Sequence, residues 1–386
     1  MMVRVLLLDG HTVQALSVAR SLKSAGYKVT AIIESRISYG YASRYVDEKI
    51  IYKSDEISDF LSFLLDFLKK NPQDVILPLY NDSAEFLSKH KERIEEETGV
   101  KCAVTDIDTF MAAHDKSRLM EICRVHGLPH PRTANISYES VKSAVEYVGF
   151  PAMIKPNISA GAKGIVLVKD EGELSRKLPE ILDNYGPSTL QEYIDHNGVY
   201  YNVMLYRDRN GKSHGGVVLE IMRYFPLKGG TSCYCKTIRN DALVDVCRDA
   251  LNSLNWWGFA DFDLMQAKDG SYKIIEINPR VPASIHGAAI SNVNFPQLIV
   301  EDCTGLPLSE VEYMPDKEMR FMGLDVMWFV FSPCRFSFSP SWFKFWGKNI
   351  FYQDGSFKDP LPMLMGCVSG ILKYLNPAVR RAKLNK

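Results

Sequence analysis

The sequence has no apolar run as long as the eighteen or so residues that a membrane-spanning helix requires. At the N-terminal end, Asp9 interrupts the apolar stretch too early for a secretory signal. Charge of one sign is also missing, because 46 basic residues balance 46 acidic ones. Without a basic excess there is no electrostatic basis for binding nucleic acid. We therefore expect a cytoplasmic protein with small-molecule partners and no nucleic acid.

Paired cysteine motifs are absent too. The eight cysteines show no CxxC spacing of the kind that holds zinc, and only Cys233 and Cys235 lie close together. Two residues apart on a strand, they share one face of a sheet, which is a commoner arrangement than a redox or metal pair. We expect reduced thiols.

Two well-known nucleotide-binding fingerprints are incomplete. The first strand-to-helix turn, residues 10–15, has only one of the three glycines of the G-x-G-x-x-G dinucleotide motif. The small-residue loop 157–164 does not end in the G-K-[ST] of a P-loop. These gaps argue against a nicotinamide-binding domain and against a P-loop enzyme.

What the chain does have is an ordinary globular composition, 46% hydrophobic and 24% charged, spread over 386 residues. That length exceeds what one core usually organises, so we expect two or three structural units. In the first hundred residues, strand-like apolar runs alternate with helical patterns, which predicts a doubly wound α/β sheet. The runs predicted as strands are 3–9, 28–34, 49–52 and 74–79, and the helical patterns are 12–26, 57–69 and about 82–97.

Loops at the carboxyl edge of such a sheet are where ligands bind. Two loops are expected there, Gly10-His11 and Tyr80-Asn81-Asp82. Each is a candidate for contacting substrate. The alternative for Asn81 and Asp82 is that they only cap the helix that begins there.

The most informative stretch is 259–280, in which two strand patterns flank a turn at Lys268-Asp269-Gly270. Alternation along each strand predicts that oxygen donors from the two strands converge on one side. Such donors suit Mg²⁺, which prefers an octahedral oxygen shell shared with a nucleotide. The alternative is a solvated hairpin with acids on its wet face. The residues expected to share faces are Ile274, Glu276 and Asn278 on one strand and Asp261 and Asp263 on the other.

The order of these residues resembles the magnesium-binding end of the ATP-grasp ligases. Asp263 is followed thirteen residues later by Glu276-Ile277-Asn278-Pro279-Arg280. The resemblance implies that Asp263, Glu276 and Asn278 bind Mg²⁺, with Mn²⁺ as an alternative, beside the β- and γ-phosphates of ATP. It also implies a catalytic role for Arg280, whose planar fork suits a carboxylate, a phosphate or an acyl phosphate.

Two lysines extend the resemblance upstream. Lys116 precedes the turn Gly127-Leu128-Pro129-His130-Pro131, and a lysine at this place in the family contacts a phosphate of ATP. Lys155 ends a strand that opens on the loop 157–164, so it is expected to contribute to phosphate binding and to catalysis. The loop residues expected to bind nucleotide are Ser159, Gly161 and Gly164. The alternative is a plain hairpin turn.

The segment 189–195 resembles the hinge strand that offers backbone groups to adenine. The nucleotide-binding residues implied there are Glu192, Tyr193, Ile194 and Asp195. The family usually supplies a ribose-binding glutamate a few residues later, in a Gly-x-Glu-Tyr context, but this chain has Gly198-Val199-Tyr200-Tyr201. Asp195, Glu192 or Tyr200 would have to bind the ribose instead.

Two further segments have open interpretations. The stretch 223–232 carries Arg223, Lys228 and a double glycine, which is typical either of an anion-binding loop or of a mobile surface turn. From about 316 the chain becomes aromatic and ends in a basic tail. We favour a C-terminal cap whose aromatic residues pack on the core. The alternative is a peripheral membrane or partner surface.

Together these patterns predict an N-terminal doubly wound parallel sheet, an ATP-grasp core of two α+β lobes and a C-terminal cap. The expected boundaries are 1–108, 109–315 (lobes 109–187 and 188–315) and 316–386. The activity that the resemblance implies is an ATP-dependent, ADP-forming ligase that activates a carboxylate as an acyl phosphate and joins it to an amine or similar nucleophile. The alternative is an ATP-grasp-like nucleotide-binding interaction protein without turnover.

Overall fold

The computed structural model describes residues 2–53, 57–159, 163–227 and 230–375. Gly161, which the sequence places in the phosphate loop, lies outside the described residues, as do Lys228, Gly229 and the basic tail after Leu375. In the described part of the chain, no helix is both long enough and apolar enough to cross a membrane.

The first unit is a five-stranded parallel sheet with the strand order β3-β2-β1-β4-β5. Successive residues of β1 face opposite sides, so Val5 packs with α1 while Leu6 packs with α3 and α4. The predicted doubly wound sheet is therefore confirmed. Its elements are β1 (Arg4–Leu7), α1 (Val13–Ser24), β2 (Lys28–Ile33), α2 (Tyr39–Ala42), β3 (Glu48–Ile51), α3 (Ile57–Lys70), β4 (Val75–Leu77), α4 (Asn81–Thr98) and β5 (Lys101–Cys102).

The next elements build a four-stranded antiparallel sheet with the order β6-β9-β7-β8. The Asp115 carboxylate caps α6 by accepting hydrogen bonds from the backbone N–H groups of Ser117 and Arg118, at 2.8 and 3.1 Å. The elements are α5 (Ile107–His114), α6 (Lys116–Val125), β6 (Thr133–Ile136), α7 (Val141–Val148), β7 (Ala152–Pro156), β8 (Val166–Val168), α8 (Glu171–Tyr185) and β9 (Ser188–Glu192).

The third sheet has seven strands in the order β14-β13-β10-β11-β12-β15-β16. One face packs on α9, and the other shares a core with α1 of the first unit through α10 and α11. The hairpin β13–β14 lies at one edge of this sheet. The elements are β10 (His196–Arg207), β11 (Ser213–Phe225), β12 (Thr231–Ile238), α9 (Asp241–Ser253), β13 (Gly258–Ala267), β14 (Tyr272–Asn278), α10 (His286–Ile290), α11 (Phe295–Thr304), β15 (Glu318–Arg320), α12 (Met322–Phe331), β16 (Ile350–Tyr352) and α13 (Leu361–Leu375).

The C-terminal segment is woven into this sheet, because β15 pairs with β12 and β16 pairs with β15. A buried ion cluster holds it there. The Asp325 carboxylate accepts from Arg223 Nε and Nη2 at 2.8 and 3.0 Å and from Arg320 Nε at 2.9 Å. We call Arg223, Arg320 and Asp325 the arginine cluster. Arg223 is therefore a structural residue, and the anion-binding interpretation of its segment is wrong for this side chain.

Candidate active site

The hairpin β13–β14 brings the predicted oxygen donors together as cross-strand neighbours. Asp263 is opposite Glu276, and Asp261 is opposite Asn278. One prediction is wrong: Ile274 does not share the face of Glu276. The register shifts between Asp263 and Leu264, and Ile274 turns into the apolar core on the other side of the sheet. A β-bulge of this kind reverses the alternation of side chains beyond it.

The two aspartates are deeply buried. Asp261 is 2% exposed and Asp263 is 9% exposed. Asn278 Nδ2 lies 3.4 Å from Asp261 Oδ2 and 3.5 Å from Asp263 Oδ2. Asn202, on the neighbouring strand β10, donates a short hydrogen bond to Asp263 Oδ1. Asp261 Oδ1 is buried without any hydrogen-bond partner, so the acidic face has acceptor capacity that the protein itself does not use.

Both predicted lysines reach the acidic face from the first lobe. Lys116 Nζ lies 3.2 Å from Glu276 Oε2 and donates to the carbonyl oxygen of Ser159 at 3.3 Å. Lys155 Nζ donates to Gln191 Oε1 at 2.5 Å. Both lysines are buried. We call the set Asp261, Asp263, Glu276, Asn278, Lys116 and Lys155 the hairpin cluster.

The pKa values of the hairpin cluster are shifted because its charged groups are buried and lie close together. Burial, followed by the neighbouring carboxylates of Glu276 and Asp261, raises the pKa of Asp263 well above its ordinary value. Burial also acts to raise the pKa of Glu276, but Lys116, a hydrogen bond with Asp263, and Lys155 outweigh it and lower that pKa to about 2. Burial lowers the pKa of Lys155 to about 8, against the opposing attraction of Glu276. The acids thus repel one another, and the lysines compensate only in part.

The loop between β7 and β8 meets this cluster at Ser159, whose carbonyl oxygen accepts from Lys116. Ser159 Oγ is buried and has no hydrogen-bond partner among the described residues. Gly164 has a φ of +71°, and a Cβ atom there would come within 2.7 Å of Pro156 and 2.8 Å of Tyr185. Only glycine fits this exit from the loop. Of the three predicted loop residues, Ser159 and Gly164 are described, and Gly161 is not.

The predicted hinge follows β9. The Glu192 carboxylate accepts from the backbone N–H and from Nε of Arg132, at 3.1 and 2.7 Å. The Asp195 carboxylate forms an exposed ion pair with Lys268 at 2.7 Å. Ile194 is buried, and the N–H of Tyr193 donates to the carbonyl of Pro151. The carboxylates of Glu192 and Asp195 therefore already have protein partners, which leaves their use for ribose as a prediction.

Arg280 connects the hairpin cluster to the N-terminal sheet. Its Nε donates to Asn81 Oδ1 at 3.1 Å, and its Nη2 donates to Asn278 Oδ1 at 3.3 Å. Asn81 is the first residue of α4, so its side chain reaches across to the ATP-grasp hairpin in addition to standing at a helix start. The loop 80–82 and the hairpin thus form one continuous site.

Sequence reasoning missed two contributors, His114 and Asn202, and it named Asp261 only as a strand neighbour of Asp263. His114 is buried beside Lys116, Glu276 and Arg280, and burial followed by Lys116 lowers its pKa to about 4. Asn202 and Asp261 complete the polar face. The alternating spacing of Asp261 and Asp263 was a usable signal for Asp261, whereas Asn202 comes from a strand 61 residues away from Asp263 and has no local signal.

The donors fit a hard divalent cation. Three carboxylates and one amide provide oxygen ligands, and Asp261 Oδ1 has no partner among the described residues. Burial, followed by repulsion from Glu276 and Asp261, raises the pKa of Asp263. Among the described residues, no three His, Cys, Asp or Glu side chains are already arranged around a common metal position. Two features account for this. The predicted metal ligands include the amide of Asn278 in place of a third carboxylate, and Glu276 is paired with Lys116 in this structure.

Comparison with known proteins agrees with this geometry. A family profile described as the ATP-grasp domain matches residues 113–284. The carbamoyl phosphate synthase large chain of Archaeoglobus fulgidus is 23% identical over 239 residues, which cover 59% of this chain and 21% of that protein. The chain thus spans about a fifth of that relative. The D-aspartate ligase of Enterococcus faecium is 24% identical over 348 residues, covering 82% of each chain.

Solved structures share the fold. The biotin carboxylase domain of 2-oxoglutarate carboxylase from Hydrogenobacter thermophilus, crystallised with MgADP and bicarbonate, has a TM-score of 0.68 at 18% identity, covering 82% of this chain and 73% of that one. An L-amino acid ligase from Bacillus licheniformis has a TM-score of 0.62 at 15% identity, covering 80% and 75%. The chain therefore has the fold of these ATP-grasp structures, and its residues 113–284 match the model of the ATP-grasp domain.

Proposed function

We propose that this protein is an ADP-forming ligase that activates a small-molecule carboxylate with ATP and joins it to an amine. The observation that carries the proposal is the hairpin cluster, in which buried acids, buried lysines and Arg280 meet at one point. A carboxylate oxygen would attack the γ-phosphorus and release ADP. The amine would then attack the acyl carbon, lose a proton and release phosphate.

The hairpin residues divide into two roles under this proposal. Asp263, Glu276 and Asn278 would hold Mg²⁺, with Mn²⁺ as an alternative, and Asp261 backs them from the neighbouring pair. The bound metal supplies positive charge that offsets the charge of the phosphates. Lys116 and Lys155 would bind the phosphates from the opposite side. Such positioning and electrostatic stabilisation account for most catalysis of phosphoryl transfer.

The nucleotide would lie between the phosphate loop and the hinge. Ser159 has an unused hydroxyl group, and Gly164 lets the loop return close to its own strand. The backbone of residues 192–195 would face adenine. Gly161 belongs to the same loop and is proposed to contact phosphate through its backbone N–H.

Arg280 would orient the substrate carboxylate. Its guanidinium already bridges Asn278 and Asn81, so it lies between the hairpin and the loop 80–82. A planar fork binds a carboxylate through two parallel hydrogen bonds. The substrate would then lie against the N-terminal sheet, with Asn81 and His11 as the neighbouring polar groups.

The choice of a carboxylate and an amine is supported by the relatives that cover most of this chain. The relative with 82% mutual coverage is named a D-aspartate ligase, and one structural neighbour is named an L-amino acid ligase. We therefore propose that at least one substrate is an amino acid. The acids and lysines that the proposed chemistry requires are all present, which disfavours a nucleotide-binding protein without turnover.

A screen of acid and amine pairs for ADP release tests the proposal, with amino acids tried first. Hydroxylamine added in place of the amine should trap the activated acid as a hydroxamate, so the natural amine need not be known. ADP release that some acid stimulates, but that never yields hydroxamate with any such acid, would overturn acyl-phosphate chemistry. Direct phosphorylation of another group would then be the better assignment.

A matched variant sharpens this test. Arg280→Lys keeps the positive charge but loses the bidentate fork. We expect it to reduce hydroxamate formation by at least about tenfold, roughly 1.4 kcal/mol, while changing ATP affinity less. Equal losses of trapping and of nucleotide binding would instead assign Arg280 to the phosphates.

A further inference from the structure

The last 61 residues, 326–386, differ in charge from the rest of the chain. They contain nine Lys and Arg residues and only two acids, Asp354 and Asp359, which is a net charge of +7 in a chain whose total is zero. Both acids are buried, at 1% and 3% exposure. The surface that the described part of this segment presents to solvent therefore carries cations without any exposed acid.

Helix α13 has its apolar side turned outward. Its first twelve residues, 361–372, include no charged residue. Among its described side chains only Pro362 and Gly366 are buried. Gly366 packs so closely on Tyr39 of α2 that a Cβ atom would meet the ring at 2.3 Å. The outward positions recur at helical spacing. They are Leu361, Leu364, Ile371, Leu372 and Leu375, each at least half exposed.

Aromatic residues are also exposed in the segment that precedes α13. Phe336 and Phe343 lie in a stacked arrangement with centroids 6.5 Å apart, and both also contact Phe329. Trp346 is 85% exposed. Lys348 and Lys358, in the same segment, are exposed as well. We call residues 326–375 the C-terminal face.

We propose that the C-terminal face binds an anionic lipid surface, with α13 lying along the bilayer and its outward leucines and isoleucine entering the headgroup boundary. An exposed apolar helix face beside cations is the chemistry of interfacial helices. Basic residues near such a surface each add attraction to acidic lipids. The basic residues that follow Leu375 in the sequence, including Arg380 and Arg381, add to the same charge.

The charge pattern favours a lipid surface over another protein. A symmetric contact with a second copy would bring two faces of positive charge together, and like charges in contact oppose association. The centres of protein interfaces are also depleted in lysine. Aromatic and aliphatic side chains mixed with exposed cations match the boundary between headgroups and acyl chains.

Sedimentation with lipid vesicles tests the proposal, using the full chain without nucleotide. We expect binding to vesicles that contain phosphatidylglycerol and at least about tenfold weaker binding to pure phosphatidylcholine. Raising the salt concentration to about 0.5 M should weaken binding as well, because it shortens the screening length to a few ångströms. Equal binding to neutral and acidic vesicles, or no binding to either, would overturn the proposal.

Variants distinguish binding through the C-terminal face from non-specific adsorption to vesicles. Ile371 and Trp346 lie at different places on the C-terminal face. Ile371→Glu and Trp346→Ser should each reduce vesicle binding at least about tenfold. Val125→Glu changes a residue that is equally exposed, at 63%, but lies outside the face, so it should bind like the wild type. Unchanged binding by both face variants contradicts the proposal. A concentration-dependent dimer without vesicles, abolished by Ile371→Glu, would assign the face to a second copy instead.

Discussion

The protein buries two clusters of charge, and they differ in how well they are satisfied. In the arginine cluster, Asp325 receives both guanidinium groups, and the remaining N–H groups donate to the carbonyls of Pro340, Trp342 and Lys344. Aromatic rings cover the guanidinium groups, with Tyr234 4.2 Å from the Arg223 centre. Each charge there has a partner within the protein.

The hairpin cluster is left incomplete by comparison. Asp261 Oδ1 and Ser159 Oγ have no partner, and three carboxylates share two lysines. Burying a polar group without a hydrogen bond costs free energy, so an incomplete cluster persists where a ligand completes it. Both clusters are buried, so burial alone does not separate a structural ion cluster from a binding site. What separates them is whether each buried polar group has a partner within the protein.

The largest effect is expected from Asp263→Asn or Glu276→Gln. Each removes a negative charge from the proposed metal shell without changing side-chain size. ATP turnover should fall by at least about a thousandfold, roughly 4 kcal/mol, while the circular dichroism spectrum stays that of the wild type. Asp245→Asn, on the exposed side of α9, is the control. Normal turnover by both variants would remove the metal assignment.

Next in size is Asp325→Asn, which leaves two buried guanidinium groups without a counterion. The free energy of unfolding should fall by roughly 3–5 kcal/mol, because an uncompensated buried charge is costly. Urea denaturation measures it. Asp245→Asn again serves as the control, since it also removes an acid paired with an arginine, but at the surface. Similar small losses in both variants would show that the buried arginine cluster stabilises the fold no more than a surface ion pair does.

Lys155→Met tests the cationic half of the hairpin cluster. The methionine retains most of the side-chain volume but cannot attract phosphate. We expect affinity for a non-hydrolysable ATP analogue, or turnover, to fall at least about tenfold, roughly 1.4 kcal/mol. Calorimetric titration gives the affinity. If neither quantity changes, Lys155 is a strand-end lysine held only by Gln191.

The smallest effect concerns pH. Burial lowers the pKa of His114 from 6.5 to about 4. Between these pH values the histidine is protonated in the unfolded chain but neutral in the folded protein. Protonation of this group therefore does not reduce the free energy of unfolding above pH 6.5, and it reduces that free energy increasingly as the pH falls towards 4. Between pH 7.5 and 5.8, His114→Asn should lose about 1 kcal/mol less than the wild type. Equal losses in the two proteins would show that His114 is not the group that titrates.

Much of this architecture follows from local patterns. The apolar run at β1 predicts a strand that is buried on both faces. The turn Lys268–Gly270 predicts the hairpin that carries Asp263 and Glu276. The predicted helix at 82–97 begins one residue earlier, at Asn81, in the structure. These features depend on spacing within a few residues, which the sequence displays directly.

What could not be predicted depends on distant pairing. The bulge that turns Ile274 away from Glu276 has no glycine or proline to mark it. Arg223 resembled a loop cation until the fold brought Asp325, 102 residues later, against it. The same holds for the strands β15 and β16, whose partners are set by the sheet as a whole. Side chains that meet only in the folded chain leave no local pattern.

The ion pair between Lys116 and Glu276 has a consequence for ligand exchange. In this structure each is the other's counterion, at 3.2 Å. If nucleotide and metal bind as proposed, the lysine turns to a phosphate and the glutamate to the cation, so two opposite charges change partners. When both ligands arrive together, neither residue has to lose its counterion in an interior of low dielectric. Arrival of either ligand alone would leave one of the two residues without its counterpart, so joint arrival is the step that keeps both charges paired.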